Sequence, residues 1–245
     1  MTSLHRLYIL FGMTNKYIQK IKELRIEKDF SQEQIAKVIG VSRPTYTAIE
    51  AGKQELSADE IQKLAKFYSI SIDELLSGVT PNIEKYKHMI LTYLRMNLSN
   101  KGDGKVPKTK LAKLLYLADF AWFYEHLKSM SGMQYRKLAY GPVPDVFFRA
   151  IDELAEAGKI YVEPKTDGEK EMFLISESES NRNEKTKTLS SDETELMEKI
   201  AKKWKDKKTV DIVNFTHNQL PYLLCRTDEL IPYELITQED ADQVY

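Results

Sequence analysis

The segment SQEQIAKVIGVSRPTYTAIEAGK, from Ser31 to Lys53, constrains this chain more than any other, because it reads as two short helices joined by a tight turn, either an ordinary helical hairpin or a DNA-reading pair. Ser31 can cap a helix, and Gln34 three residues on can complete a capping box. Ile35, Ala36 and Ile39 then recur at helical spacing as an inward face. Gly40 ends that helix, since glycine enters the left-handed conformation without penalty and turns the chain sharply. Ser42 can cap a second helix. Pro44 falls in its first turn, where a missing N–H costs nothing. Tyr46 and Ile49 point inward, and Gly52 stops the helix.

Two short helices joined by so tight a turn form a helix-turn-helix, the shape that fits a DNA major groove. The face left outward near the N-terminus of the second helix carries Ser42, Arg43, Pro44, Thr47 and Ala48, with Thr45 beside them. Arg43 is the best candidate for reading a base edge. Flanking helices are expected at Tyr17 to Lys28, with Ile18, Ile21, Leu24 and Ile26 as apolar positions, and at Ser57 to Tyr68, with Ile61, Leu64, Ala65 and Phe67. A last short helix, SIDELLSG, begins after Ser71 and ends at Gly78.

The stretch from about Tyr17 to Gly78 resembles the Cro/C1-type (XRE) DNA-binding domain, whose five-helix layout it matches element for element. The resemblance implies a partner, double-stranded DNA. It also implies a structural pair between Arg25 and Glu50, and phosphate contacts from Gln32 and Lys53 that clamp the recognition helix from both sides. Phosphate contacts set register and affinity, whereas base contacts set sequence preference.

Charge tempers that reading. Lys+Arg number 36 against Asp+Glu 37, and the ten basic and ten acidic side chains between Thr14 and Gly78 cancel. Phosphate neutralisation supplies most non-specific affinity. A neutral reader therefore needs two copies, so a homodimer on an inverted-repeat operator is expected, with half-sites roughly 34 Å apart.

At 245 residues the chain is comfortable for two domains. Its single cysteine, Cys225, excludes an internal disulfide, and no stretch approaches the roughly 20 apolar residues of a membrane span. A cytoplasmic protein is expected. The N-terminal LHRLYILFG runs into the next domain without a small-residue cleavage site, so it reads as a short extension, residues 1–13, or as an upstream start with Met13 the natural first residue. The DNA-binding domain is assigned to 14–78, a linker to 79–82, a second domain to 83–236 and an acidic tail to 237–245.

The second domain opens with an amphipathic helix from about Ile83 to Leu98, carrying Ile83, Tyr86, Ile90, Tyr93 and Leu94 on one face. After a polar loop, a longer helix from about Lys108 to His126 is apolar on nearly every side, as a central buried helix must be. Asp119 lies within it. A carboxylate there is either a catalytic or binding acid or a buried group paired with Arg, Lys or a backbone group to fix packing, and the second reading is preferred. Tyr140, Gly141, Pro142 and Pro144 read as a rigid turn, Asp145 as a cap, and Ile151 and Leu154 as the inward face of a helix closed by Gly158. KIYVEP and EMFLIS, joined by KTDGEK with its Asp-Gly signal, read as a hairpin. Glu177 to Ser191 reads as a mobile loop. Helices follow at Asp192 to Trp204 and about Val210 to Asn218. The expected fold is mainly α: a five-helix DNA-binding domain and a larger helical domain with a small β-hairpin.

The helix KLLYLADFAWFYEH, the YGPVPD turn and the later NFTHNQLPY stretch together resemble the Panacea, or SocA-like antitoxin, domain over about Ile83 to Ile236. His217 and Pro221 support the match, while Tyr222 stands where a Trp is common in the family. The resemblance implies a protein that binds and neutralises a cognate protein toxin encoded beside it, with the attached reader repressing their shared promoter. An alternative is a ligand-responsive or phage-type repressor without a toxin. An enzyme is not expected. His5, His88, His126 and His217 form no metal-ligand spacing with one another or with Cys225, and no phosphate loop or nucleophile elbow is visible, so neither metal nor cofactor is assigned. His217 is expected in the packing between the last helix and the central one.

Overall fold

In the computed structural model the described residues are 17–78, 80–96, 98, 103–167, 170–183 and 188–245. The extension assigned to residues 1–13 lies outside them. The chain divides into two compact units, with the break between Thr80 and Pro81.

The first unit is all helical among its described residues. Its elements are α1 (17–27), α2 (Gln32–Ile39), α3 (Arg43–Glu50), α4 (Ala58–Tyr68) and α5 (Ile72–Ser77). Local chemistry sets each boundary. Ser31 and Ser57 each close a capping box, with Gln34 and Glu60, and Ser42 and Ser71 cap α3 and α5. Gly40 ends α2 at φ 83, and the amides of Gly40 and Val41 return to the carbonyls of Lys37 and Ala36. Ile21, Leu24, Ile35, Ala36, Ile39, Tyr46, Ile49, Leu64, Ala65 and Tyr68 form one core. Two expected core positions face outward. Ile26 is 55% exposed and Phe67 37%, because the 3.6-residue period that buries Ile21 and Leu24, and Leu64 and Tyr68, turns their neighbours away.

The second unit is built around α7 (Lys108–His126), expected from its all-round apolar sequence, whose run from Lys110 to Ala121 is buried throughout. Each large apolar side chain so buried stabilises by about 1.5–3 kcal/mol. Against α7 pack α6 (Ile83–Arg95), α9 (Ser191–Trp204) and α10 (Thr209–Asn218), with α8 (Val146–Glu156) on α6. The expected hairpin is β4 (Ile160–Asp167) and β5 (Lys170–Glu177), and its two-residue connection lies outside the described residues. A short strand, β1 (Val106–Pro107), extends it to the order β1-β5-β4.

Several expectations are corrected. The YGPVP stretch is not only a turn: Gly141–Pro144 is strand β3, paired antiparallel with β2 (Tyr135–Leu138). Proline cannot donate to a ladder, so Pro142 and Pro144 are tolerated because β3 has one partner. Asp145 sits at the N-cap of α8 without a side-chain cap bond and lies instead 3.4 Å from Arg136. Helix α6 ends at Arg95 rather than Leu98. The start of the polar stretch is fixed, since Glu177 receives a bidentate Arg95 at 2.6 and 2.9 Å and Asn181 at 2.5 Å. Residues 237–245, set apart above as an acidic tail, pack back on the unit: Gln219 Nε2 donates to the carbonyls of Gln243 and Val244 at 2.7 and 2.9 Å, and Val244 is buried.

Candidate nucleic-acid interface

The recognition helix α3 is fixed at both ends. Ser42 Oγ accepts from the Thr45 amide at 3.2 Å, and the two hydroxyls lie 2.8 Å apart. At the other end Gly52 takes φ 68, and the amides of Gly52 and Lys53 donate to the carbonyls of Ile49 and Ala48. This closure is a Schellman motif, and it sets where the Lys53 side chain leaves the helix. Tyr46 and Ile49 bury the inner face. Arg43, Pro44, Thr47 and Lys53 stand exposed, with Thr45 and Ala48 half-buried beside them.

A polar network behind that face ties three helices together. Arg25 on α1 grips Glu50 with a fork, Nε to Oε1 at 2.6 Å and Nη2 to Oε2 at 3.1 Å, and its Nη1 donates to the Phe30 carbonyl at 3.0 Å. Gln32 on α2 donates to Glu50 Oε2 at 2.9 Å, and its Oε1 accepts from the Thr47 hydroxyl at 3.1 Å. Burial raises the Glu50 carboxyl, but the hydrogen bonds from Arg25 and Gln32 outweigh it and hold the group below its ordinary value. The same contact raises Arg25. The Gln32 amide is thus engaged within the protein, joining α2 to α3. The sequence reading missed this bridge. Its only signal was an amide residue in the first turn of α2, a position that also suits a phosphate contact.

In the second unit, Asp119 is fully buried on α7. It accepts from the Ser131 amide at 2.7 Å, the Ser131 hydroxyl at 2.5 Å and the Tyr135 hydroxyl at 2.8 Å. Burial pushes its carboxyl up to about 6, against those donors. Lys113, also fully buried, donates to the Pro142 carbonyl at 3.0 Å, and burial brings its amine down to about 7. Gly141 takes φ 97 above it, where a Cβ would fall 2.7 Å from Lys113 Cε and 2.8 Å from His217 Nε2. His217, on α10, stacks on Tyr222 at 4.3 Å and 8°. These groups fix the β2–β3 hairpin to α7 and α10. Among the described residues no group of three or more His, Cys, Asp or Glu could hold a metal ion.

The family models match these two units separately. A helix-turn-helix model covers residues 21–75, and a model described as the antitoxin SocA-like Panacea domain covers 111–221. A relative in Vibrio cholerae, the cryptic phage CTXphi transcriptional repressor RstR, is 45% identical over 75 residues, 30% of this chain and 68% of the repressor. The chain belongs to the Cro/C1-type helix-turn-helix family, fused to a Panacea domain. The control protein C.MunI of a Mycoplasma species is 37% identical over 65 residues, 26% of this chain and 88% of the relative. The transcriptional activator BcrR of Enterococcus faecalis is 38% identical over 63 residues, 26% of this chain, which spans 31% of that relative. No solved structure is significantly similar to the chain.

The helix-turn-helix unit is that of transcriptional regulators, and it brings Gln32, Ser42, Arg43, Pro44, Thr45, Thr47 and Ala48 to one helix pair, with Lys53 at its end. Both matched families are regulators or antitoxin-like rather than enzymes. No described helix is long and apolar enough to cross a membrane.

Proposed function

We propose that this chain is the antitoxin of a toxin-antitoxin pair, neutralising its toxin by direct contact through the Panacea unit and repressing the shared promoter through the helix-turn-helix. The observation that carries it is the fusion of these two domains in one chain, with an exposed recognition face on the first. Arg43 reads a base edge, and Ser42, Pro44, Thr45, Thr47 and Ala48 complete the surface against the groove. Lys53 contacts phosphate. Gln32 meets the backbone through its position at the start of α2, while its amide holds α3. The reader works as a homodimer on an inverted repeat, because one neutral copy gains little from phosphate neutralisation.

Coexpression tests the toxin half. The adjacent gene's product should arrest growth when expressed alone, and this chain should restore it; arrest without rescue would refute the reading. For the DNA half, Arg43→Ala should lose roughly 1–3 kcal/mol of operator affinity and relax preference at one position per half-site. Lys53→Ala should weaken all sequences alike, as measured by anisotropy on operator and scrambled duplexes.

Similarity to a phage repressor favours a second reading, a phage-type repressor without a toxin. That match covers 30% of the chain and leaves the Panacea unit without a role.

A further inference from the structure

The Panacea unit carries a concave groove of about 230 Å³ between the outer face of the β1-β5-β4 sheet and the α9–α10 turn. Five lysines line it, Lys105, Lys110, Lys165, Lys207 and Lys208, with Asp103 the one carboxylate in the lining and Glu163, Asp206 and Asp211 beside it. The lysines do not have equal roles. Lys110 donates to the carbonyls of Lys205 and Lys207 at 3.0 and 2.8 Å and so holds the turn in place. Lys105 reaches Glu163 at 2.5 Å. Lys165, Lys207 and Lys208 are exposed around the rim. The floor is apolar, formed by Pro107, Met172 and Leu174.

This combination selects among anions. A phosphate group favours backbone amides at a helix N-terminus, and α10 begins beside the groove, but Asp211 in its first turn already takes the Lys208 amide at 2.8 Å and places a negative charge there. A nucleic-acid backbone offers nothing to an apolar floor. An extended peptide with carboxylates and intervening apolar side chains meets both the rim and the floor. We infer that this groove docks an acidic, partly apolar segment of the toxin. The inference rests on the antitoxin reading above and specifies the surface that reading leaves open.

The test compares the full-length chain with Lys165→Glu/Lys207→Glu/Lys208→Glu, titrating each against the purified product of the adjacent gene at low and high salt. Operator binding and the thermal midpoint of each chain serve as fold controls, since all three side chains are exposed and outside the reading face. The triple variant should bind at least about 30-fold more weakly, and wild-type affinity should fall as salt rises. If the reversed variant unfolds early, the neutral Lys→Gln triple decides, with an expected loss of about fivefold. Unchanged toxin affinity in the folded variant would overturn the inference and leave the antitoxin reading intact. The same holds if the variant loses only its affinity for non-operator DNA. A wild-type chain that fails to bind the neighbouring product would instead refute the antitoxin reading itself.

Discussion

The two units bury a carboxylate in opposite ways. In the helix-turn-helix unit Glu50 meets a cation, Arg25, in a two-point fork, and its carboxyl is held down. In the Panacea unit Asp119 meets only neutral donors, from Ser131 and Tyr135, and is pushed up to about 6. Lys113 sits on the same helix, yet it bonds to Pro142 rather than to Asp119. The difference follows from what each unit must fix. A reading head has to hold one short helix at a set angle near its surface, and a charged fork gives direction. The core of a larger domain has to position a strand and a loop against a helix that is apolar all round, where neutral hydrogen bonds to one buried acceptor suffice.

Removing each acceptor's partners tests that contrast. Asp119→Ala should have the largest effect, about 4 kcal/mol, because it leaves the Ser131 amide and hydroxyl and the Tyr135 hydroxyl buried without a partner. Both tryptophans, Trp122 and Trp204, lie in this unit, so urea unfolding followed by tryptophan fluorescence reads it directly. Arg25→Ala should cost the first unit about 3 kcal/mol, since the buried Glu50 loses its cation, and should lower operator affinity through misplacement of α3. Loss of hydrogen-exchange protection in α2 and α3 measures it.

The pH dependences should have opposite signs. The Asp119 carboxyl is raised in the folded chain, so its stabilisation is full below the ordinary value of 3.8 and is lost as pH rises through about 6. Glu50 is depressed, so its contribution is present above its ordinary 4.5 and lost as pH falls below that. Between pH 4 and 6 the tryptophan-detected stability of wild type, relative to Asp119→Asn, should therefore decline. Gln32→Ala should have the smallest effect, about 1 kcal/mol on the first unit, with Glu50 still held by Arg25.

The reading head was almost wholly legible in the sequence, because capping serines, Gly40, Gly52 and the apolar spacing are local signals. What escaped was non-local. That Gln32 would turn to Glu50 and Thr47 depends on how α2 packs on α3; Ile26, by contrast, falls off the 3.6-residue period that buries Ile21 and Leu24, and its exposure was legible in that local spacing. In the Panacea unit the central helix and the main hairpin could be read from composition. The β2–β3 hairpin could not, because Pro142 and Pro144 argue against a strand until the single-partner edge is known. Nor could the docking of residues 237–245, whose acidic composition matches that of a solvated tail and whose partner, Gln219, lies in the NFTHNQLPY stretch with no local feature that announces a bond to a distant carbonyl. The lysine groove draws on five separate elements and the loops between them and has no sequence signature at all.

DNA reading and toxin neutralisation are proposed to reside on different units. Growth rescue by the Arg43→Ala chain, coexpressed with the adjacent gene, tests that separation most directly. Rescue equal to wild type, alongside an operator affinity reduced by the roughly 1–3 kcal/mol expected of one lost base contact, is the predicted result. Loss of rescue together with operator binding, in a chain that remains folded, would contradict it.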